Sequence, residues 1–150
     1  MNENSKQGDR EIVRMIMDLK TKDNNVFDCQ NCPDIVPILA IASALTKGVT
    51  KIVNIERLKI KECDRLKATY EVLTLLGVKV EMTNSSLTVY GVDTFCGGKF
   101  TSYHDHRMAM MIAIASTRAN GDIEIDDEKC VSKSYPDFFK DFVSLGGIIR

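Results

Sequence analysis

One tetrapeptide occurs twice in this 150-residue chain: Ala40-Ile41-Ala42-Ser43 returns as Ala113-Ile114-Ala115-Ser116, 73 positions later. The match continues at the same offset, Gly48 falling on Gly121 and Ile52 on Ile125. Each copy lies in an apolar, alanine-rich stretch of helical length, 35–46 and 107–119, that stops near a glycine, as helix C-termini commonly do. A short alternating strand follows each, near 50–54 and 122–125, and then a second helix. In the first copy that helix is expected over 62–76, ending at Gly77, with strands near 78–82 and 86–90 around an Asn84-Ser85 turn. In the second copy it is expected over 136–145, before Gly146-Gly147. A strand at Asn25-Val26-Phe27 leads the first copy. The unit is therefore strand, helix, strand, helix, strand, strand. The stretch Asp9 to Ile16 resembles the second helix of a further copy, since Asp9-Arg10 matches Asp64-Arg65. On that reading 1–24 is the helix of a preceding unit, 25–92 a full unit, and 93–150 a second, truncated one. Repeats bury each other's apolar faces, so an incomplete domain is expected to leave part of its core uncovered. A short amphipathic cap is the alternative reading of the first helix.

The bulk chemistry narrows the function. Lys and Arg number 20 and Asp and Glu 21, a net charge of -1. No basic excess of the kind that marks nucleic-acid or anionic-membrane binding is present. No apolar run has the length to span a bilayer, and the start is too polar for a secretory signal. Five cysteines, an odd number, read as reduced thiols, the pattern of a cytoplasmic protein rather than of a disulfide scaffold.

The informative residues are cations at three expected helix starts. Lys61 and Arg65 are four apart, Arg107 follows Asp105 as N-cap candidate, and Lys133 precedes Ser134 and Pro136. A helix N-terminus already carries partial positive charge, so a cation there is unfavourable by roughly 0.3–1 kcal/mol unless an anion answers it. Free N–H groups beside an Arg or Lys form an anion site. The competing reading is local pairing with Glu62, Asp64 and Asp137. Asp28, at the end of a strand, is either a ligand-facing carboxylate or an Asx-turn residue. Glu62 is either an acid/base group or an ion-pair partner. Cys29-Gln30-Asn31-Cys32 and His104-Asp105-His106 offer four possible zinc ligands, but a lone CxxC without further ligands at matching spacing makes a weak metal motif.

Three motifs carry a family resemblance: Lys61-Glu62-Cys63-Asp64-Arg65, Asp105-His106-Arg107-Met108-Ala109-Met110, and Lys133-Ser134-Tyr135-Pro136-Asp137-Phe138-Phe139. In this order they resemble the C-terminal signatures of the EPSP synthase (3-phosphoshikimate 1-carboxyvinyltransferase) family. The segment Asp28 to Pro37, with its Cys32-Pro33-Asp34 turn, resembles that family's stretch around the catalytic aspartate. The resemblance runs from about Gln7 to Gly147. It implies an α/β (α+β) fold of βαβαββ units, the EPT/RTPC-like inverse α/β-prism type, three units to a domain about a pseudo-threefold axis. It implies transfer of the enolpyruvyl group of phosphoenolpyruvate to the 5-hydroxyl of shikimate 3-phosphate in the shikimate pathway, with no cofactor or metal. It implies that Asp28 is the base, that Lys61 contacts the phosphorylated shikimate, and that Arg65, Arg107 and Lys133 grip phosphoenolpyruvate. It implies that Glu62 protonates the methylene carbon, with His106 beside the site. The family's N-terminal domain, which contacts both substrates, has no counterpart in this sequence, so the chain alone is expected to be inactive. A non-catalytic anion-binding module, or a half needing a separate N-terminal partner, are the alternatives. Cys63 stands where the family has Ser or Thr, and Lys59 where it often has Arg. The first substitution predicts an oxidisable thiol beside the site, the second a weaker bidentate contact.

Overall fold

The 73-residue offset extends through the order of elements in the computed structural model, which describes residues 10–150. After α1 (Glu11–Thr21), the first repeat runs β1 (Asn24–Asp28), α2 (Val36–Ala44), β2 (Val49–Val53), α3 (Arg65–Leu75), β3 (Val80–Met82) and β4 (Ser86–Tyr90). The second runs β5 (Gly98–Phe100), α4 (His106–Ser116), β6 (Ile123–Ile125) and α5 (Phe138–Ser144). Strand pairing repeats too. Asn24 faces Val49 in a parallel pair, and Gly98 faces Ile123 in another, a separation of 25 residues each time. The first sheet has the order β1-β2-β4-β3, with β4 antiparallel to both neighbours. This is mixed α/β architecture.

The helices that hold the repeated tetrapeptide form the inner layer. In α2 the buried set includes Val36, Leu39, Ala40, Ile41 and Ala44; in α4 it includes Met108, Ala109, Met111, Ile112, Ala113 and Ala115. A helix this apolar on most of its faces belongs inside, and its alanines let α2 and α4 pack directly on each other. The strands cover them on one face only. In β1 burial alternates, so Phe27 enters the core while Val26 faces out, the period-two pattern of a half-buried strand. Gly48 makes the turn into β2 at φ +85°, where a Cβ would lie 1.7 Å from the Asp23 carbonyl oxygen; only glycine fits. No helix among the described residues is long and apolar enough to cross a membrane.

Two expected helix starts move. The helix expected over 62–76 begins at Arg65, because Asp64 accepts a hydrogen bond from the Lys67 N–H and so is the N-cap. Lys61 and Glu62 therefore lie outside it, after a 3₁₀ turn at Glu56–Ile60. Lys133 ends a second 3₁₀ turn, Glu128–Lys133, and Ser134 caps no helix: α5 begins at Phe138, after Asp137. Arg65, which opens α3, and Arg107, one residue inside α4 with Asp105 as cap, both sit at helix starts as expected. In the N-terminal stretch, Asp9 lies outside the described residues and the helix runs from Glu11.

Candidate anion site at the helix starts

Four segments converge: the Pro33–Ile35 turn before α2, residues 61–65 at the head of α3, the start of α4, and the end of the Glu128–Lys133 turn. Arg65 is the hub. It is 1% exposed, and its three guanidinium nitrogens reach three carboxylates. Nε donates to Asp105 Oδ2 at 2.7 Å, Nη1 to Asp34 Oδ1 at 2.9 Å, and Nη2 to Glu62 Oε2 at 2.5 Å. The planar guanidinium fork permits this; an ammonium would not. Asp105 is fully buried and spends its other oxygen on the Arg107 N–H at 2.8 Å. It thereby ties the head of α3 to the head of α4.

Around this hub lie three further cations. Lys61 Nζ is 2.9 Å from Asp34 Oδ1. Arg107 donates to the Asp34 carbonyl at 3.1 Å and lies 3.6 Å from its carboxylate. Lys133 Nζ donates to Glu62 Oε1 at 3.0 Å. These four cations, set against Asp34, Glu62 and Asp105, leave a net charge of +1. His106 is buried, and its Nδ1 has no hydrogen-bond partner among the described residues. Tyr103 and His104 enter the left-handed region, φ 56° and 52°, uncommon for non-glycine residues. Their N–H groups donate to the Thr101 and Ser102 hydroxyls, which fixes the tight turn that presents Asp105, His106 and Arg107.

The sites expected from sequence divide accordingly. Lys61, Glu62, Arg65, Arg107 and Lys133 meet in one cluster, with His106 beside it. Asp28 takes no part in the cluster's ion pairs. Its Oδ1 accepts from the Gln30 N–H and its Oδ2 from Asn54 Nδ2, an Asx-turn arrangement. The carboxylate that faces the cations is Asp34, on the turn six residues later. Lys59 donates to Asn84 Oδ1, outside the cluster. Cys63 donates to Asp105 at 3.6 Å. Burial and the Asp105 charge push its thiol up to about 12, so it stays protonated and is a poor nucleophile, contrary to the expected oxidisable thiol. Cys29 and Cys32 are both buried, and His104 pairs with Asp127 at 2.7 Å.

Proton affinities follow the geometry. Partial burial favours protonated Glu62, but its own N–H, Lys133 and Arg65 outweigh this and hold it down at about 2. Asp34 is likewise lowered: desolvation opposes, while the Lys61 hydrogen bond and the charges of Arg107, Lys61 and Arg65 prevail. Burial lowers His106 below the ordinary imidazole value, with Asp105 opposing and Arg65 and Arg107 assisting. For all three, the folded state holds protons less tightly than the unfolded chain. Stability should therefore fall with pH, first below the ordinary histidine value near 6.5. The larger loss should come from about 4.5 down to about 2 as Glu62 protonates, with Asp34 adding to it below its ordinary value of 3.8. Urea midpoints measured between pH 7 and 3 should decline steadily; a midpoint that is flat or rises below pH 5 would contradict the ion-paired cluster.

The sequence profile of the family described as EPSP synthase (3-phosphoshikimate 1-carboxyvinyltransferase) matches residues 1–142. The chain is 41% identical, over 97% of its length, to the 3-phosphoshikimate 1-carboxyvinyltransferase of Clostridium perfringens strain 13. It is 44% identical, over 99% of its length, to that of Clostridioides difficile strain 630. In both cases it spans 38% of the relative's length. Among solved structures, the EPSP synthase of Acinetobacter baumannii superposes with a TM-score of 0.74 at 30% identity, covering 79% of this chain and 28% of that one. With its profile, its relatives and its fold in agreement, the chain belongs to the EPSP synthase family.

Proposed function

We propose that this chain supplies one side of the active site of an enolpyruvyl transferase acting in the cytoplasm. The transferase moves the enolpyruvyl group of phosphoenolpyruvate to the 5-hydroxyl of shikimate 3-phosphate and releases phosphate. One observation carries the reading: Lys61, Arg65, Arg107 and Lys133 converge beside two carboxylates, Asp34 and Glu62. Both substrates are phosphorylated carboxylates, which fixed cations recognise and whose developing charge they offset. The reaction also needs one proton removed from a hydroxyl and one delivered to carbon. Asp34, ionised among its cations, is the base, and Lys61 beside it orients the shikimate hydroxyl. Arg107 and Lys133, at the accessible side of the cluster, hold phosphoenolpyruvate. Arg65, almost fully buried, sets the frame and meets the accessible side only through the Nη2 that Glu62 holds. Further substrate contacts come from an N-terminal domain equivalent to that of the longer relatives.

Calorimetric titration of the chain with shikimate 3-phosphate tests the binding half of this reading, with measurable affinity at millimolar ligand expected. Turnover is expected only after the chain is mixed with the N-terminal portion of a relative, since lost positioning groups cost orders of magnitude in rate. Absence of binding at millimolar ligand would overturn the reading.

A further inference from the structure

Every cation of the cluster is already answered from within. Asp105 cannot yield, being fully buried and committed to both Arg65 and the α4 N-terminus. Asp34 is held by three cations, Lys61, Arg65 and Arg107. Glu62 is the loosest of the three carboxylates. It has two cations where Asp34 has three, it lies on the loop before α3, and one of the two, Lys133, is 60% exposed. A multiply charged anion reaching this rim competes with Glu62 for the same two cations.

We infer that anions enter this site by exchange: the incoming ligand takes Lys133 and Arg65 from Glu62, and the released carboxylate then accepts a proton from solvent. The inference rests on the anion-site reading above and adds how that site is kept and switched. The groups set against Glu62 are Arg65 on α3 and Lys133 after its turn, with His106 at the α4 start coupled to its charge; Asp34 and Asp105 share Arg65 with it, and Lys61 and Arg107 pair with Asp34. Without its two cations, and beside a new anion, Glu62 keeps only its own N–H to favour the ionised form, and its proton affinity rises. The balance is one carboxylate and one solvent proton giving one carboxylic acid. The ligand thereby turns an ion-pair partner into the acid that carbon protonation requires. A proton taken up on binding also means that affinity rises as pH falls through the window opened by the shift.

Sulfate is the suitable probe, a dianion that does not itself titrate near pH 5. Calorimetry of the full 150-residue chain near pH 5, in two buffers of different ionisation enthalpy, should show fractional proton uptake with binding. In Glu62→Gln that uptake should vanish, and sulfate should bind roughly two- to fivefold tighter, the scale of one partly exposed ion pair no longer in competition. Sulfate binding without proton uptake, equal uptake in Glu62→Gln (which would assign the proton to His106), or unchanged or weaker affinity in that variant would each overturn the exchange alone. No sulfate binding by either protein would overturn the anion site itself. The wild-type proton measurement stands even if the variant folds poorly.

Discussion

Replacing Arg65 by alanine should cost about 3–5 kcal/mol of folding stability, the range for removing one partner of a buried ion pair. The arginine is 1% exposed, and its loss strips the fully buried Asp105 of the guanidinium that pairs with it. That residual charge is the main penalty. The lost contacts to Asp34 and Glu62, both partly solvated, add less. Domain stabilities are about 5–15 kcal/mol, so the variant should sit near its unfolding threshold at 25 °C. Arg65→Lys should recover only part of the loss, because one ammonium cannot meet three carboxylates in separate directions. Pairing Arg65→Ala with Asp105→Ala should be milder than the two single losses added, since the double variant leaves no buried charge unpaired. Urea denaturation of the wild type and these four variants checks this. A loss under about 1 kcal/mol for Arg65→Ala would show that Asp105 is solvated after all, and with it that α3 and α4 are not joined through this pair.

The same hub shows what a sequence discloses and where it falls silent. The 73-residue repeat, the glycine stops and the alanine-rich inner helices follow from periodicity and small-residue spacing. These are one-dimensional signals, and the element order was legible from them. The cap at Asp64 was legible too, in its position just before an apolar-periodic run; the helix expected from residue 62 missed it, and that placed Lys61 on the helix. Lys133 and Asp34 are different. Both lie in 3₁₀ turns whose side-chain directions depend on how the repeats pack. Asp28 looked functional because ligands gather at strand ends, yet its carboxylate closes its own turn and binds Asn54, which stands at φ 59° after β2. The motifs told which residues gather; only the packing of four segments told which carboxylate faces them.

That choice of carboxylate gives the sharpest functional prediction. With transfer activity restored by the N-terminal portion of a relative, Asp34→Asn should lower kcat by about 10²–10⁴, the usual worth of a general base. Asparagine keeps the size of the side chain and a carbonyl oxygen for Lys61, but cannot take the hydroxyl proton. Asp34 is suited to the role. Lys61, Arg65 and Arg107 keep it ionised, and its side chain is 33% exposed, open to a ligand on one side. Those cations also weaken it as a base, so Lys61 must assist by acidifying the hydroxyl it orients. Asp28→Asn, by contrast, should change kcat by less than about threefold, because both oxygens of Asp28 are engaged, one by the Gln30 N–H and one by Asn54 Nδ2. Calorimetry with shikimate 3-phosphate separates binding from chemistry: both variants should retain affinity within about fivefold, the scale of one ion pair. A collapse of kcat in Asp28→Asn with Asp34→Asn unaffected would return the base to the strand end. It would also leave Asp34 as a counter-ion whose only task is to hold Lys61, Arg65 and Arg107 in place.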